Sequence, residues 1–158
     1  MKELEDLAGA NGIAIVEGNL PGKERGRWYA EPRIIVLQAG MPLDYTRTTL
    51  GHELGHATHH HDMSTPDARI HYFQERQADE YAARLLISEE SYRKAERMHG
   101  AHFAGIAHEL KVTVELIHVW RDLWHRKDKK WPDNNCLRRS KRSNSRKKNA
   151  AKTQSDTS

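Results

Sequence analysis

The sequence predicts an α+β chain: a small three-stranded sheet packed on mostly helices, then a helical C-terminal pair and a basic tail. Three observations carry this. Three short runs rich in β-branched and aromatic residues lie close together near the N-terminus, separated by turn residues. From Asp44 onward, apolar residues recur at helical spacing in one segment after another. Beyond Trp131-Pro132 the chain turns to Asn, Ser, Lys and Arg with almost nothing apolar, too little to offset the entropy of ordering, so a disordered tail is expected.

The elements follow in order. Glu3 to Ala10 reads as a short helix stopped by Gly9, Asn11 and Gly12. Ile13-Ala14-Ile15-Val16-Glu17 reads as a strand bounded by glycines, and Arg27-Trp28-Tyr29-Ala30 as a second. Arg33-Ile34-Ile35-Val36-Leu37 is the most strand-like segment, and antiparallel hairpin connections are expected among the three. Asp44 is a good N-cap for a helix running to about His61. Gly51 and Gly55 inside that helix each cost roughly 1 kcal/mol against alanine, which suggests a close approach to sheet or substrate on their face. A longer helix is expected from Ala68 to Ile87, then a shorter one opened by Ser88 and broken by Gly100. Ala101 to Leu110 and Thr113 to about Arg126 form the final pair, with Val114, Ile117, Trp120 and Trp124 as a core-facing stripe. One domain is thus expected over 1–126, with the tail as 127–158.

Composition sets limits on environment. Of the 158 residues, 30% are charged, and the mean hydropathy is −0.89. No apolar run approaches the roughly 20 residues that span a bilayer, so no membrane partner is expected. The start, Met1-Lys2-Glu3-Leu4-Glu5-Asp6, is acidic and lacks a secretory h-region. The single cysteine, Cys136, excludes an internal disulfide and fits a reducing compartment, so a cytoplasmic location is expected. The net charge of +4 conceals an asymmetry: residues 126–158 carry about +9 and residues 1–125 about −5.

The chemistry is concentrated in Thr49-Leu50-Gly51-His52-Glu53-Leu54-Gly55-His56-Ala57. Four residues turn a helix by about 400°, so His52 and His56 leave the same face and can share a metal ion. Glu53 lies at the edge of that face, where a carboxylate can take a proton from water. Two histidines and a nearby base are the zinc metalloprotease arrangement. Eleven histidines make an accidental match easier, but the position mid-helix after a strand-rich segment is the context such a site needs.

A zinc site of this kind needs a third protein ligand. Three residues are candidates, in the order Glu75, Asp62, His60 on ligand geometry. His60 would require one straight helix to wrap three successive turns around an ion. Asp62 suits a longer motif that turns the chain back at a glycine, where this chain has His59. Glu75 lies on the next helix with Asp79 four residues on, where a carboxylate can hold the free N–H of a ligating histidine. Ala78, Ala82 and Ala83 would let that helix pack closely on the one bearing His52. His59-His60-His61 reads as a surface cluster at a helix end. His71 and Tyr72 are candidate donors to a tetrahedral oxyanion, although residues of this kind more often serve packing.

The His-Glu-Leu-Gly-His segment, followed by Glu75-Arg76-Gln77-Ala78-Asp79-Glu80-Tyr81-Ala82-Ala83-Arg84-Leu85-Leu86-Ile87, resembles the ImmA/IrrE family of zinc metallopeptidases. The likeness runs from about Ile13 to Trp124 and is most specific in the two helices. Ile87-Ser88 stands where members commonly have Met-Pro. The resemblance implies a compact zincin-like domain and one Zn2+ held by His52, His56 and Glu75, with Glu53 as base. It also implies a narrow substrate, a cognate transcriptional repressor of helix-turn-helix type controlling a phage or mobile element. Asp79 beside a ligating histidine is similar to the arrangement in zincins more broadly.

A rival reading is a zinc-stabilised regulatory or DNA-binding protein without turnover. Ala107-His108-Glu109-Leu110-Lys111-Val112-Thr113-Val114 has a helix-turn-helix rhythm. The would-be reading helix, however, carries Glu115 and Asp122 and only Arg121 to read bases. The basic tail independently suits non-specific, salt-sensitive contact with nucleic acid.

Overall fold

A computed structural model describes residues 1–62 and 64–129, with side chains as far as Arg126. The elements are α1 (Lys2–Ala10), β1 (Ala14–Gly18), β2 (Gly26–Tyr29), β3 (Ile34–Gln38), α2 (Leu43–Thr58), α3 (Ala68–Leu86), α4 (Glu89–His99), α5 (Phe103–Leu110) and α6 (Val114–Lys129). The α+β class is therefore the one the sequence predicts. Met1–Trp124 forms one compact unit. The expected disordered tail lies outside the described residues beyond Lys129, and no described helix is long and apolar enough to cross a membrane.

The sheet departs from a hairpin meander. Its order is β1-β3-β2, with β2 antiparallel to β3 but β1 parallel to it. The last strand in sequence therefore inserts between the first two. Residue burial gives the reason: Ile35 and Leu37 on β3 are 0% and 2% exposed, and only a central strand is covered by neighbours on both sides. Ile15 and Trp28 flank Ile35 across the sheet. This face packs on α1 and α2 through Leu4, Ala8, Leu50 and Leu54.

A second core lies among α3–α6, where Ile106, Ile117, Trp120 and Leu123 are buried with Tyr92. Trp120 stacks on Tyr92 with centroids 4.4 Å apart, and its indole N–H donates to the Ile87 carbonyl at 2.9 Å. That bond satisfies a polar group where α3 gives way to α4. Val114 and Trp124 pack against the same cluster, so the predicted stripe is core. Ser88 opens α4 with a capping box in which Ser91 supplies the reciprocal hydrogen bond.

The helix α2 differs from expectation at both ends. Pro42 is the N-cap and Asp44 sits inside the first turn, where its charge complements the helix dipole without capping a backbone N–H. At the other end the helix stops at Thr58, with His60 in the left-handed region at φ 53°. His60 N–H bonds the Ala57 carbonyl at 3.4 Å and His61 N–H bonds the His56 carbonyl at 3.1 Å. This is a Schellman stop, and it returns the chain over the last turn of α2.

Candidate metal centre

The site is built where α3 runs back along α2. Contact this close depends on small residues at the crossing. A Cβ on Gly55 would lie 2.8 Å from Ala78 Cα, and one on Gly51 would lie 3.3 Å from Ala82 Cβ. The two glycines thus admit α3, not the sheet or a substrate, and the alanines Ala78 and Ala82 face them. The consequence is that the polar residues one turn apart on each helix meet: His52 and His56 from α2, Glu75 and Asp79 from α3.

The donor atoms converge. His52 Nε2 and His56 Nε2 are 2.9 Å apart, His52 Nε2 is 3.4 Å from Glu75 Oε2, and His56 Nε2 is 3.6 Å from Glu75 Oε1. Ligands about 2.0–2.1 Å from a tetrahedral cation sit about 3.4 Å from one another, so this triad fits such an ion. The electrostatics agree. Burial works against charge on the His52 imidazole, but hydrogen bonds to Asp79 and Glu75 outweigh it and raise its pKa to about 10. The carboxylates around His52 thus favour positive charge at this point, which a bound cation would supply. His52 Nδ1 donates to Asp79 Oδ1 at 2.8 Å, leaving Nε2 turned toward Glu75. His56 is 2% exposed, and burial, with the charge of His52, lowers its pKa to about 4 and keeps it neutral.

Glu53 is buried at 6% exposure on the neighbouring edge of α2. Burial raises its pKa to about 7, while the charge of His52 and the Trp28 backbone N–H pull in the opposite direction. Its carboxylate nests against β2, where Gly26 leaves the space: a Cβ there would lie 2.9 Å from Glu53 Oε1 and 2.5 Å from Thr49 Cγ2. The three donors and Glu53 open onto a cleft of about 840 Å³, bounded by β2 on one side and by Glu115, Leu116 and Val119 of α6 on another.

A family model for the IrrE N-terminal-like domain, Peptidase M78, matches residues 9–119. The chain belongs to this family. The match includes every residue of the donor cluster and of the cleft lining. Among curated proteins, none matches the chain. Peptidase M78 membership and the His52–His56–Glu75 cluster together support a metallopeptidase with a metal-binding site.

The other candidates in this Peptidase M78 chain are placed as follows. Asp62 turns its carboxylate onto Ser64, accepting from the hydroxyl at 2.6 Å and the backbone N–H at 2.9 Å, away from the donors. His60 is exposed at the Schellman turn. His71 Nδ1 stands 3.8 Å from Glu75 Oε1 at the cleft mouth. Tyr72 is 70% exposed and lines a separate shallow depression with Thr65, Pro66 and Glu75.

His61 departs from its surface reading. It is only 7% exposed, with its Nδ1 2.9 Å from His56 Nδ1 and its Nε2 3.2 Å from Gln77 Oε1. The fold-back at His60 buries it, and no glycine marks that turn in the sequence. Sequence reasoning also missed Gly26. A glycine opening a strand is unremarkable until Glu53 is seen to occupy the space beside it.

Proposed function

We propose that the chain is a zinc-dependent metalloendopeptidase, with zinc held by His52, His56 and Glu75. The observation that carries this is the convergence of those donors beside a buried carboxylate, in a cleft flanked by a strand edge. Bound zinc acidifies water and polarises a carbonyl. Glu53 takes the proton from the attacking water as its oxygen bonds the scissile carbon, then delivers it to the leaving nitrogen as the C–N bond breaks. Burial of Glu53 against β2 holds its carboxyl in the range where it can both accept and release a proton near neutrality. Asp79 orients the His52 ring through the 2.8 Å bond.

The peptide lies along β2. β3 is the central strand and pairs on both sides, so it offers a peptide no free edge. Of the two edge strands, β2 is the one that lines the cleft, from Gly26 to Tyr29. An extended peptide added there gains backbone hydrogen bonds next to the donors. The resemblance to ImmA/IrrE proteins supports a cognate intracellular repressor of a phage or mobile element as the protein cleaved. The DNA-reading alternative is disfavoured, because the start of α6 that would read bases lines the cleft through Glu115, Leu116 and Val119.

The test is co-expression of the chain with a candidate repressor, comparing wild type with Glu53→Gln. The variant should bind one zinc per chain, as wild type does, while repressor fragments disappear. Relief of repression by a Glu53→Gln protein that leaves the repressor intact sinks the proteolytic reading.

A further inference from the structure

His61 is a buried imidazole in contact with a metal-site residue, and the hydrolytic steps do not use it. Its position is a product of the backbone. In a Schellman stop the second residue beyond the cap returns over the last turn of the helix, commonly to make an apolar contact. Here those two residues are His61 and His56, and the contact is polar. Two side chains of α3 hold the returning loop. The terminal amide atoms of Gln74 lie 3.1 Å from the Asp62 carbonyl oxygen and 3.2 Å from the Asp62 nitrogen, and placing the amide nitrogen against the carbonyl satisfies both. Gln77 Oε1 lies 3.2 Å from His61 Nε2.

The hydrogen bonds from Gln77 inward have a definite sense. An amide oxygen only accepts, so His61 carries its proton on Nε2 and a lone pair on Nδ1. At 2.9 Å the two Nδ1 atoms share one proton, which then belongs to His56. A neutral His56 protonated on Nδ1 has its lone pair on Nε2, the atom 2.9 Å from His52 Nε2 and 3.6 Å from Glu75 Oε1.

We infer that His61 is a positioning residue: held by Gln77, it fixes the His56 ring and the tautomer whose Nε2 lone pair faces the metal donors. The two histidines of the motif are thus oriented differently. His52 leans on the carboxylate of Asp79, and His56 leans on an imidazole–amide pair that adds no charge. The site already holds the carboxylates of Glu53, Glu75 and Asp79, so a neutral orienting group spares it a further negative charge.

This inference rests on the metallopeptidase reading for the role of the His56 lone pair, and the experiment separates the two. Zinc affinity of the full chain is measured by chelator competition for wild type, His61→Phe, His61→Asn and Gln77→Met. The imidazole tautomers of the zinc-free proteins are read from long-range 1H–15N spectra, and their melting curves report folding. Loss of an orienting partner of a ligating histidine weakens metal binding about 10- to 100-fold, and His61→Phe should fall in this range. His61→Asn places an amide oxygen near the former Nδ1 and should recover most of the affinity at an unchanged melting temperature. Gln77→Met should give a smaller loss and a mixture of His56 tautomers. Zinc affinity in His61→Phe equal to wild type, or a wild-type His56 protonated on Nε2, overturns the inference. If wild type binds no zinc, the metal reading fails, and the spectra alone then decide whether His61 sets the His56 tautomer. Should His61→Phe not fold, the His61→Asn and Gln77→Met pair carries the same comparison.

Discussion

Replacing Gly55 by alanine tests the physical basis of the site, because the glycine sets the spacing of the two helices that share it. The new Cβ would lie 2.8 Å from Ala78 Cα, 3.0 Å from the Ala78 carbonyl oxygen and 3.2 Å from Tyr81 Cβ. Carbon–carbon contacts are comfortable near 3.5 Å, so α3 must retreat by about 0.7 Å or the helices must bend. Backbone on the far side cannot rotate out of the way as a side-chain end can. Overpacking of this kind costs about 1–3 kcal/mol, against which alanine returns about 1 kcal/mol of helix propensity. The net expectation is a loss of about 0–2 kcal/mol in urea unfolding of the zinc-free protein. The effect on the site should be larger than the effect on stability. Metal–ligand distances tolerate about 0.2 Å, and Glu75 moves with α3, so zinc affinity should fall at least about tenfold. Both quantities come from the same preparation, by urea melts and chelator competition. If Gly55→Ala binds zinc as tightly as wild type, the claim that this glycine sets the site geometry is wrong, whatever its stability.

Three other outcomes follow from the same geometry. Gly26→Ala places a methyl against Thr49 and Glu53 without touching His52, His56 or Glu75. It should leave zinc affinity within a few-fold of wild type while kcat falls about 100-fold, and equal losses in both would show that β2 does not act through Glu53. His60→Gly removes a side chain from a residue at φ 53° and should stabilise the fold by about 1 kcal/mol. His60→Ala should give no such gain, and the urea midpoint at constant m-value distinguishes them. Removing zinc from a protein held at about 100 times its Kd should withdraw about 2.7 kcal/mol of apparent stability. The melting temperature should therefore rise with zinc concentration in wild type and stay flat in His52→Ala.

Much of the fold was legible because its signals are local. Clustered β-branched residues marked all three strands to within a residue or two, and Ser88 announced α4 through its own side chain. Signals that depend on a distant partner were not legible. Nothing in Ile34–Gln38 says it will be central; that follows from the apolar surface available on both flanks once the chain has collapsed. Nothing at His60 announces a helix stop, because the left-handed turn was made without the glycine that usually marks it. His61 was consequently read as surface, although the turn buries it.

The candidate site divides along the same line. The i, i+4 spacing of His52 and His56 places two imidazoles on one face of any helix, so sequence alone determined that much. Glu75 could be ranked above Asp62 and His60 by ligand geometry, and the paired glycines and alanines hinted at a close helix crossing. The tertiary structure alone decided that the glycines face α3, that Glu53 nests against Gly26 of β2, and that His61 folds back onto His56. The reason is physical. Helical periodicity is set by bonds along the chain, whereas the separation of α2 from α3 is set by which atoms meet between them, and those atoms are far apart in sequence.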